Sequence, residues 1–180
     1  TYASLGNISV RLGDRVLITP SGARFDELSP SEIVTVDMDG RVIDGDKPSI
    51  ELPMHLEVYR KVPEACAVIH AHVPFSVALA EKYRDALRFE CEDLKAYGVD
   101  MVPICPQHKP GSLELAKAVA SALCISKATI IKGHGAVVWG RNISEALCIL
   151  EALEYSAKLT VLTMLVLLGG HLSINNTIGP

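Results

Sequence analysis

Apolar and polar residues alternate in the first part of the chain, and a helical repeat takes over further along. Residues 7–12 alternate on every second position, residues 15–19 form a short apolar run, and Gly13-Asp14 between them marks a hairpin turn. Residues 33–38 and 41–43 predict a second hairpin across Asp39-Gly40, a short-loop signal. Ser49 stands where it can cap a helix over residues 50–62, with Pro53 tolerated in the first turn. Residues 66–72 read as a buried strand, 74–83 as a helix, and a strand follows near 87–89. A short helix over 92–97 ends at Gly98, a natural C′ glycine, and a strand over 101–105 is stopped by Pro106. Ser112 caps a helix running through residue 123. Strands over 128–132 and 136–139 flank Gly133-His134-Gly135, and Ser144 opens a long last helix that ends near Gly169-Gly170. Strands dominate early and alternate with helices later. This pattern predicts an α/β fold with a mixed, partly antiparallel sheet covered by helices on both faces. No GxGxxG follows a strand, so a Rossmann order is not expected.

Composition narrows the function classes. The chain has 180 residues with no repeat or linker, which predicts one domain over residues 1–180 with its own core. A net charge of −4, without a basic patch, excludes an electrostatically driven nucleic-acid binder. The five cysteines are odd in number, widely spaced and lack a CxxC pair, so they read as reduced, mostly buried, cytosolic thiols. No signal peptide is visible. The apolar run 159–168 is shorter than the roughly 20 residues a membrane span needs. It is apolar on more than one face, which predicts burial between subunits and no membrane partner. The chain begins at Thr1 close to its first strand, so a preceding segment is expected to be missing.

The chemistry centres on His70-Ala71-His72. Residues i and i+2 of a strand leave on one face, so the two imidazoles stand side by side. Such a pair is half of a zinc site, and buried without a partner it would be costly. Glu51 sits at the start of a helix, where the helix dipole alone already favours a carboxylate. His134 is held between two glycines, as close backbone approach requires, although an ordinary exposed turn histidine has the same look. Gly6-Asn7 and Ser21-Gly22 are turns whose N–H groups and small polar side chains suit a phosphate, or are simply turns. His55 lies four residues after Glu51 on the same helix face and can support a metal shell or make a structural hydrogen bond. His108 reads as an incidental loop residue, and Lys109 beside it can attract a phosphate.

In order along the chain stand Gly6-Asn7-Ile8-Ser9, Thr19-Pro20-Ser21-Gly22, Pro48-Ser49-Ile50-Glu51, His70-Ala71-His72 and Gly133-His134-Gly135. With these motifs the chain resembles the class II aldolase/adducin family, most closely its zinc-dependent L-fuculose-phosphate aldolase type. The resemblance implies a three-layer α/β/α domain with a largely antiparallel sheet. It implies that His70, His72 and His134 bind Zn²⁺, with Mn²⁺ or Co²⁺ as alternatives. Glu51 would be a fourth ligand at rest and the acid/base in catalysis. Gly6, Asn7, Ser21, Gly22 and Ser49 would hold the phosphate of a small sugar-phosphate substrate. The implied reaction is reversible cleavage of a phosphorylated ketose to dihydroxyacetone phosphate and an aldehyde, in a cytoplasmic homotetramer with active sites at subunit interfaces.

Two departures bear on that reading. Ile50 stands where the family often has a second serine. Residues 89–93 lack the tyrosine that the aldolases donate across the interface, and Tyr97 is the nearest substitute. The same family includes sugar-phosphate epimerases, a dehydratase and decarboxylases. Glu51 argues against the epimerases, which tend to carry Asp there. A non-catalytic adducin-like assembly domain would have no need of the full ligand set.

Overall fold

Side chains that alternate in the sequence alternate between two cores in the structure, a computed structural model that describes residues 6–169. The first hairpin pairs β1 (Gly6–Leu12) with β2 (Arg15–Ile18), Leu12 facing Arg15 across the Gly13-Asp14 turn. The second pairs β3 (Val34–Asp37) with β4 (Val42–Asp44), and Gly40 turns the chain at φ +84°. The remaining strands are β5 (Ala67–Ala71), β6 (Ala86–Leu87), β7 (Val102–Cys105), β8 (Ala128–Ile131) and β9 (Gly135–Gly140). They form one sheet in the order β4-β3-β2-β1-β5-β9-β8-β7-β6. Among the described residues only β7 and β8 run parallel, so the sheet is mixed and largely antiparallel.

Among the described residues five α-helices cover the sheet: α1 (Leu52–Lys61), α2 (Pro74–Lys82), α3 (Glu92–Ala96), α4 (Leu113–Leu123) and α5 (Ile143–Gly169). Helices α1 and α4 lie over one face, where Leu56, Val58, Leu115 and Val119 pack on Val16, Val36, Val68 and Val137. Helices α2, α3 and α5 lie over the other, packing Leu79, Leu94, Ile149 and Leu153 on Ile69, Ile130 and Val138. The layers are therefore α/β/α. Val68 faces the first core and Ile69 the second, the period-two alternation of a strand buried on both sides. Such burial explains why residues 66–72 read as a buried strand.

Three details differ from the sequence reading. Helix α1 starts at Leu52 with Glu51 as its N-cap, and Ser49 does not cap it. Ser49 pairs elsewhere instead, its N–H donating to the Thr19 carbonyl at 3.2 Å, so tertiary pairing overrides the local capping preference. Strand β6 is only two residues long and starts one residue before the expected strand. Of the five free cysteines only Cys105 is buried; Cys66 and Cys91 are half-buried, and Cys124 and Cys148 are exposed. His171 and Gly170 lie outside the described residues. Among the described residues no helix is long and apolar enough to cross a membrane.

Candidate metal centre

Three elements meet at one end of the sheet. Strand β5 runs between β1 and β9, and its register sets His70 opposite Asn7 on one side and Val137 on the other. His72 follows one residue beyond the strand's end. His134 arrives from the β8–β9 turn, where its N–H donates to the Ile131 carbonyl at 3.1 Å. The approach is close because Gly135 has no side chain: a Cβ there would lie 2.5 Å from the Ala71 carbonyl oxygen and 3.0 Å from the His70 ring. Gly6 is constrained in the same way, at φ +132° with its missing Cβ directed onto the His70 carbonyl. The strain of packing backbone on backbone is what these glycines relieve.

The three imidazoles form a compact cluster. Ring centroids are 5.3 Å apart for His70–His72, 4.7 Å for His70–His134 and 4.9 Å for His72–His134. One ligand nitrogen from each lies within 4.8 Å of the other two. His70 Nδ1 is 3.0 Å from the Ala136 carbonyl, an acceptor only, so Nδ1 carries the hydrogen and Nε2 presents a lone pair. Burial holds the His70 pKa down at about 4, against the pull of Glu51 and with the help of the neighbouring histidines. Burial, then His134, also lowers the pKa of His72. These two rings are thus neutral near pH 7, the form that ligates metal.

Glu51 stands beside this trio, not within it. Its Oε2 is 3.3 Å from His70 Nε2 and accepts a 2.9 Å hydrogen bond from Asn7 Nδ2. Two lone pairs therefore face each other in a buried place. Glu51 Oε1 and His70 Nε2 have no hydrogen-bond partner at all. A buried carboxylate facing an unprotonated imidazole is expensive unless a cation stands between them. The donor set of three imidazoles and a nearby carboxylate suits a divalent ion of the zinc type, with three histidines as ligands and a further position open. The residues present thus fit the group that the resemblance implies.

The residues expected to hold phosphate fall into two sets. Segments 19–22 and 47–51 are zipped together: Ser21 N–H donates to the Lys47 carbonyl at 3.0 Å, Pro20 bridges Pro48, and Ser49 N–H reaches Thr19. This zip brings Ser49 up to Glu51, whose N–H donates to Ser49 Oγ at 3.3 Å. Ser21 and Gly22 line an open cavity of about 520 Å³ with Arg24 and Asp46, and the histidines are not among its walls. The Asn7 side chain is not free for a phosphate. It is buried, with Nδ2 on Glu51 and Oδ1 2.5 Å from His55 Nε2. Ile50 is more than half exposed, and Gly111 packs on its carbonyl. Tyr97 lies against Cys148 in the other helix layer.

Two functional partners escape a reading of the sequence. Ser9 Oγ is 2.6 Å from His55 Nδ1 and 2.7 Å from the Tyr59 hydroxyl, all three buried. Glu154 of α5 accepts from Phe75 N–H and Ser76 N–H, each at 2.9 Å, and from Ser76 Oγ at 2.7 Å. It caps helix α2 directly after His72. Ser9 is signalled by its strand spacing from Asn7, and Tyr59 by its helical spacing from His55. Glu154 has no local signal.

Known proteins resemble this chain over most of its length. The model of the class II aldolase and adducin N-terminal domain matches residues 1–161. Methylthioribulose-1-phosphate dehydratase of Methylococcus capsulatus is 41% identical over 165 residues, 85% of this chain and 80% of that protein. The 3-oxo-tetronate 4-phosphate decarboxylase of Haemophilus influenzae is 36% identical over 163 residues, 88% of this chain and 78% of that protein. The crystal structure of L-fuculose-1-phosphate aldolase from Thermus thermophilus superposes with a TM-score of 0.83 at 32% identity, covering 91% of this chain and 85% of that one.

Proposed function

The chain belongs to the class II aldolase and adducin family, and on that premise we propose that it is a zinc-dependent aldolase of sugar phosphates. It would reversibly cleave a phosphorylated ketose, of the L-fuculose 1-phosphate kind, to dihydroxyacetone phosphate and an aldehyde. The observation that supports this most directly is the buried Glu51 carboxylate, held on one oxygen and unpartnered on the other, beside three clustered imidazoles.

His70, His72 and His134 would hold the ion, with Glu51 beside it as a displaceable fourth donor. A divalent ion bound there supplies a Lewis acid that draws electron density from the substrate's carbonyl and hydroxyl oxygens. Glu51 moves the proton: in condensation it takes one from the carbon next to the carbonyl of dihydroxyacetone phosphate, and in cleavage it returns it. Ser21, Gly22, Ser49 and the Gly6 backbone hold the phosphate end, orienting the reacting carbon with binding energy remote from it. The exposed leucines of α5, Leu159, Leu162 and Leu165, suit burial against further copies in a homotetramer.

A second reading keeps the site and changes the bond broken. Residues 89–93 offer no tyrosine to protonate an aldehyde oxygen. Loss of carbon dioxide leaves no aldehyde oxygen to protonate, and loss of water moves that demand to the departing hydroxyl, where Glu51 can return the proton it took from carbon. The test is a panel of ketose 1-phosphates, a 3-oxo-tetronate 4-phosphate and methylthioribulose 1-phosphate, assayed with and without chelator. Dihydroxyacetone phosphate released from a ketose 1-phosphate, and abolished by chelator, is the expected result. Carbon dioxide or dehydrated product with no dihydroxyacetone phosphate would replace the aldolase reading with the second. His72→Ala should lose tight zinc binding; unchanged stoichiometry would remove His72 from the ligand set.

A further inference from the structure

Behind Glu51 lies a buried chain of side chains that the proposed reaction does not yet use. Asn7 joins Glu51 to His55, Ser9 joins His55 to Tyr59, and none of the five is more than 6% exposed. The chain has a single consistent polarity. A carboxylate only accepts, so the amide of Asn7 turns Nδ2 toward Glu51 and Oδ1 toward His55. Asn7 Oδ1 only accepts, so His55 donates from Nε2 and keeps a lone pair on Nδ1. Ser9 must then donate to His55 Nδ1, which leaves its oxygen to accept from the Tyr59 hydroxyl. Every hydrogen points toward the carboxylate. The ring of His55 stays neutral because full burial pushes its pKa down to about 3. Burial also raises the pKa of the Tyr59 hydroxyl, which keeps its proton.

We propose that His55, through Asn7, is a positioning residue for the acid/base: the Tyr59–Ser9–His55–Asn7 chain pins Glu51 Oε2 as an acceptor and leaves Oε1 as the oxygen that exchanges the substrate proton. This inference rests on Glu51 being that acid/base. Helix spacing builds the device, since Glu51, His55 and Tyr59 recur every four residues along one face of α1. Strand spacing completes it, since Asn7 and Ser9 share one face of β1. A carboxylate held by one oxygen has fewer orientations open to the other, and loss of an outer partner of this sort typically costs about 10–100-fold in activity or metal affinity.

The tautomer is measured first, on the zinc-loaded and the metal-free protein. Two-bond ¹H–¹⁵N spectra of ¹⁵N-histidine-labelled protein at pH 7 should show His55 with hydrogen on Nε2 in both states, its signals assigned by their loss in His55→Gln. Hydrogen on Nδ1 instead would overturn the polarity and the proposal with it. Kinetics follow, on whichever phosphorylated substrate is turned over. His55→Leu should lower kcat about 10–100-fold with KM within about twofold. His55→Gln, which can still donate to Asn7, should recover most of that loss. Equal losses in both variants, or a loss only in KM, would reduce His55 to a packing role. Should His55→Leu fail to fold, Ser9→Ala takes its place, with a smaller fall in kcat expected and an unchanged kcat counting against the proposal. If no substrate is turned over, the proposed reaction fails while the tautomer still decides the relay.

Discussion

Glu154→Ala should destabilise the protein and loosen the metal centre together. Val73, the N-cap of α2, makes no side-chain capping bond, and Pro74 at N1 has no N–H. The next two N–H groups, of Phe75 and Ser76, find their acceptors on the Glu154 carboxylate from another helix. Loss of an ordinary helix cap costs about 0.5–2 kcal/mol. Here two backbone donors and the Ser76 hydroxyl are orphaned at once, and hydrogen bonds to a charged group are worth about 1.5–3 kcal/mol each when buried. Glu154 is only partly buried, so water recovers some of the loss, and about 2–4 kcal/mol is expected. At this chain length that lowers Tm by roughly 5–15 °C. Because α2 begins two residues after His72, melting its first turn frees that proposed ligand, and zinc affinity should fall about tenfold. Glu154→Gln keeps one acceptor and should lie between. The assays are thermal unfolding with chelator present and zinc competition against a chromogenic chelator. A Glu154→Ala protein within about 0.5 kcal/mol of the parent, or a Gln variant as damaged as the Ala, would refute the capping argument.

Glu51→Gln removes the proton acceptor while keeping an oxygen for Asn7; kcat should fall by about 10²–10⁴, with the fold retained by circular dichroism. Gly135→Ala forces a methyl onto the Ala71 carbonyl, 2.5 Å away, where neither strand can yield, so a loss of about 1–3 kcal/mol is expected with weakened zinc binding by titration. Acid should destabilise the metal-free protein: the folded pKa values of His55, about 3, and His70, about 4, lie below the 6.5 of the unfolded chain. The unfolded state therefore binds more protons, and the stability present above pH 6.5 drains as pH falls, by up to about 1.4 kcal/mol per pH unit for each ring. Urea titrations from pH 7 to 5 check this, and His55→Gln should reduce the slope.

What was legible in the sequence was what local chemistry decides alone. The Gly13-Asp14 and Asp39-Gly40 turns, the Ser112 cap, which accepts from Leu115 N–H at 3.2 Å, and Gly98 at φ +74° all appear where residue type placed them. Ser49 fails as a cap because it has a second possible partner, the strand end at Thr19, which no local rule ranks. The habits of cysteine in general predict mostly buried thiols, yet Cys124, just past the end of α4, and Cys148 of α5 are exposed. Exposure there depends on which way a helix faces, and α5 is apolar on too many sides for the pattern to say.

The candidate site divides along the same line. His70 and His72 are legible because strand period two is unconditional, and His134 because its two glycines announce close approach. The chain behind Glu51 was half visible: His55 stood out by its spacing, but its partners belong to β1, and pairing of β1 with β5 is what brings Asn7 opposite His70. Asn7 read alone is a small amide in a turn, suited to phosphate. In the fold it cannot serve that end with its side chain, because the Glu51 carboxylate and the His55 ring claim both ends of the amide. On the proposed reading, the phosphate is then left to the hydroxyls and backbone of the zipped segments and to the Gly6 backbone. The acid/base side gains a support that reaches from the metal cluster to Tyr59 inside the α1 layer.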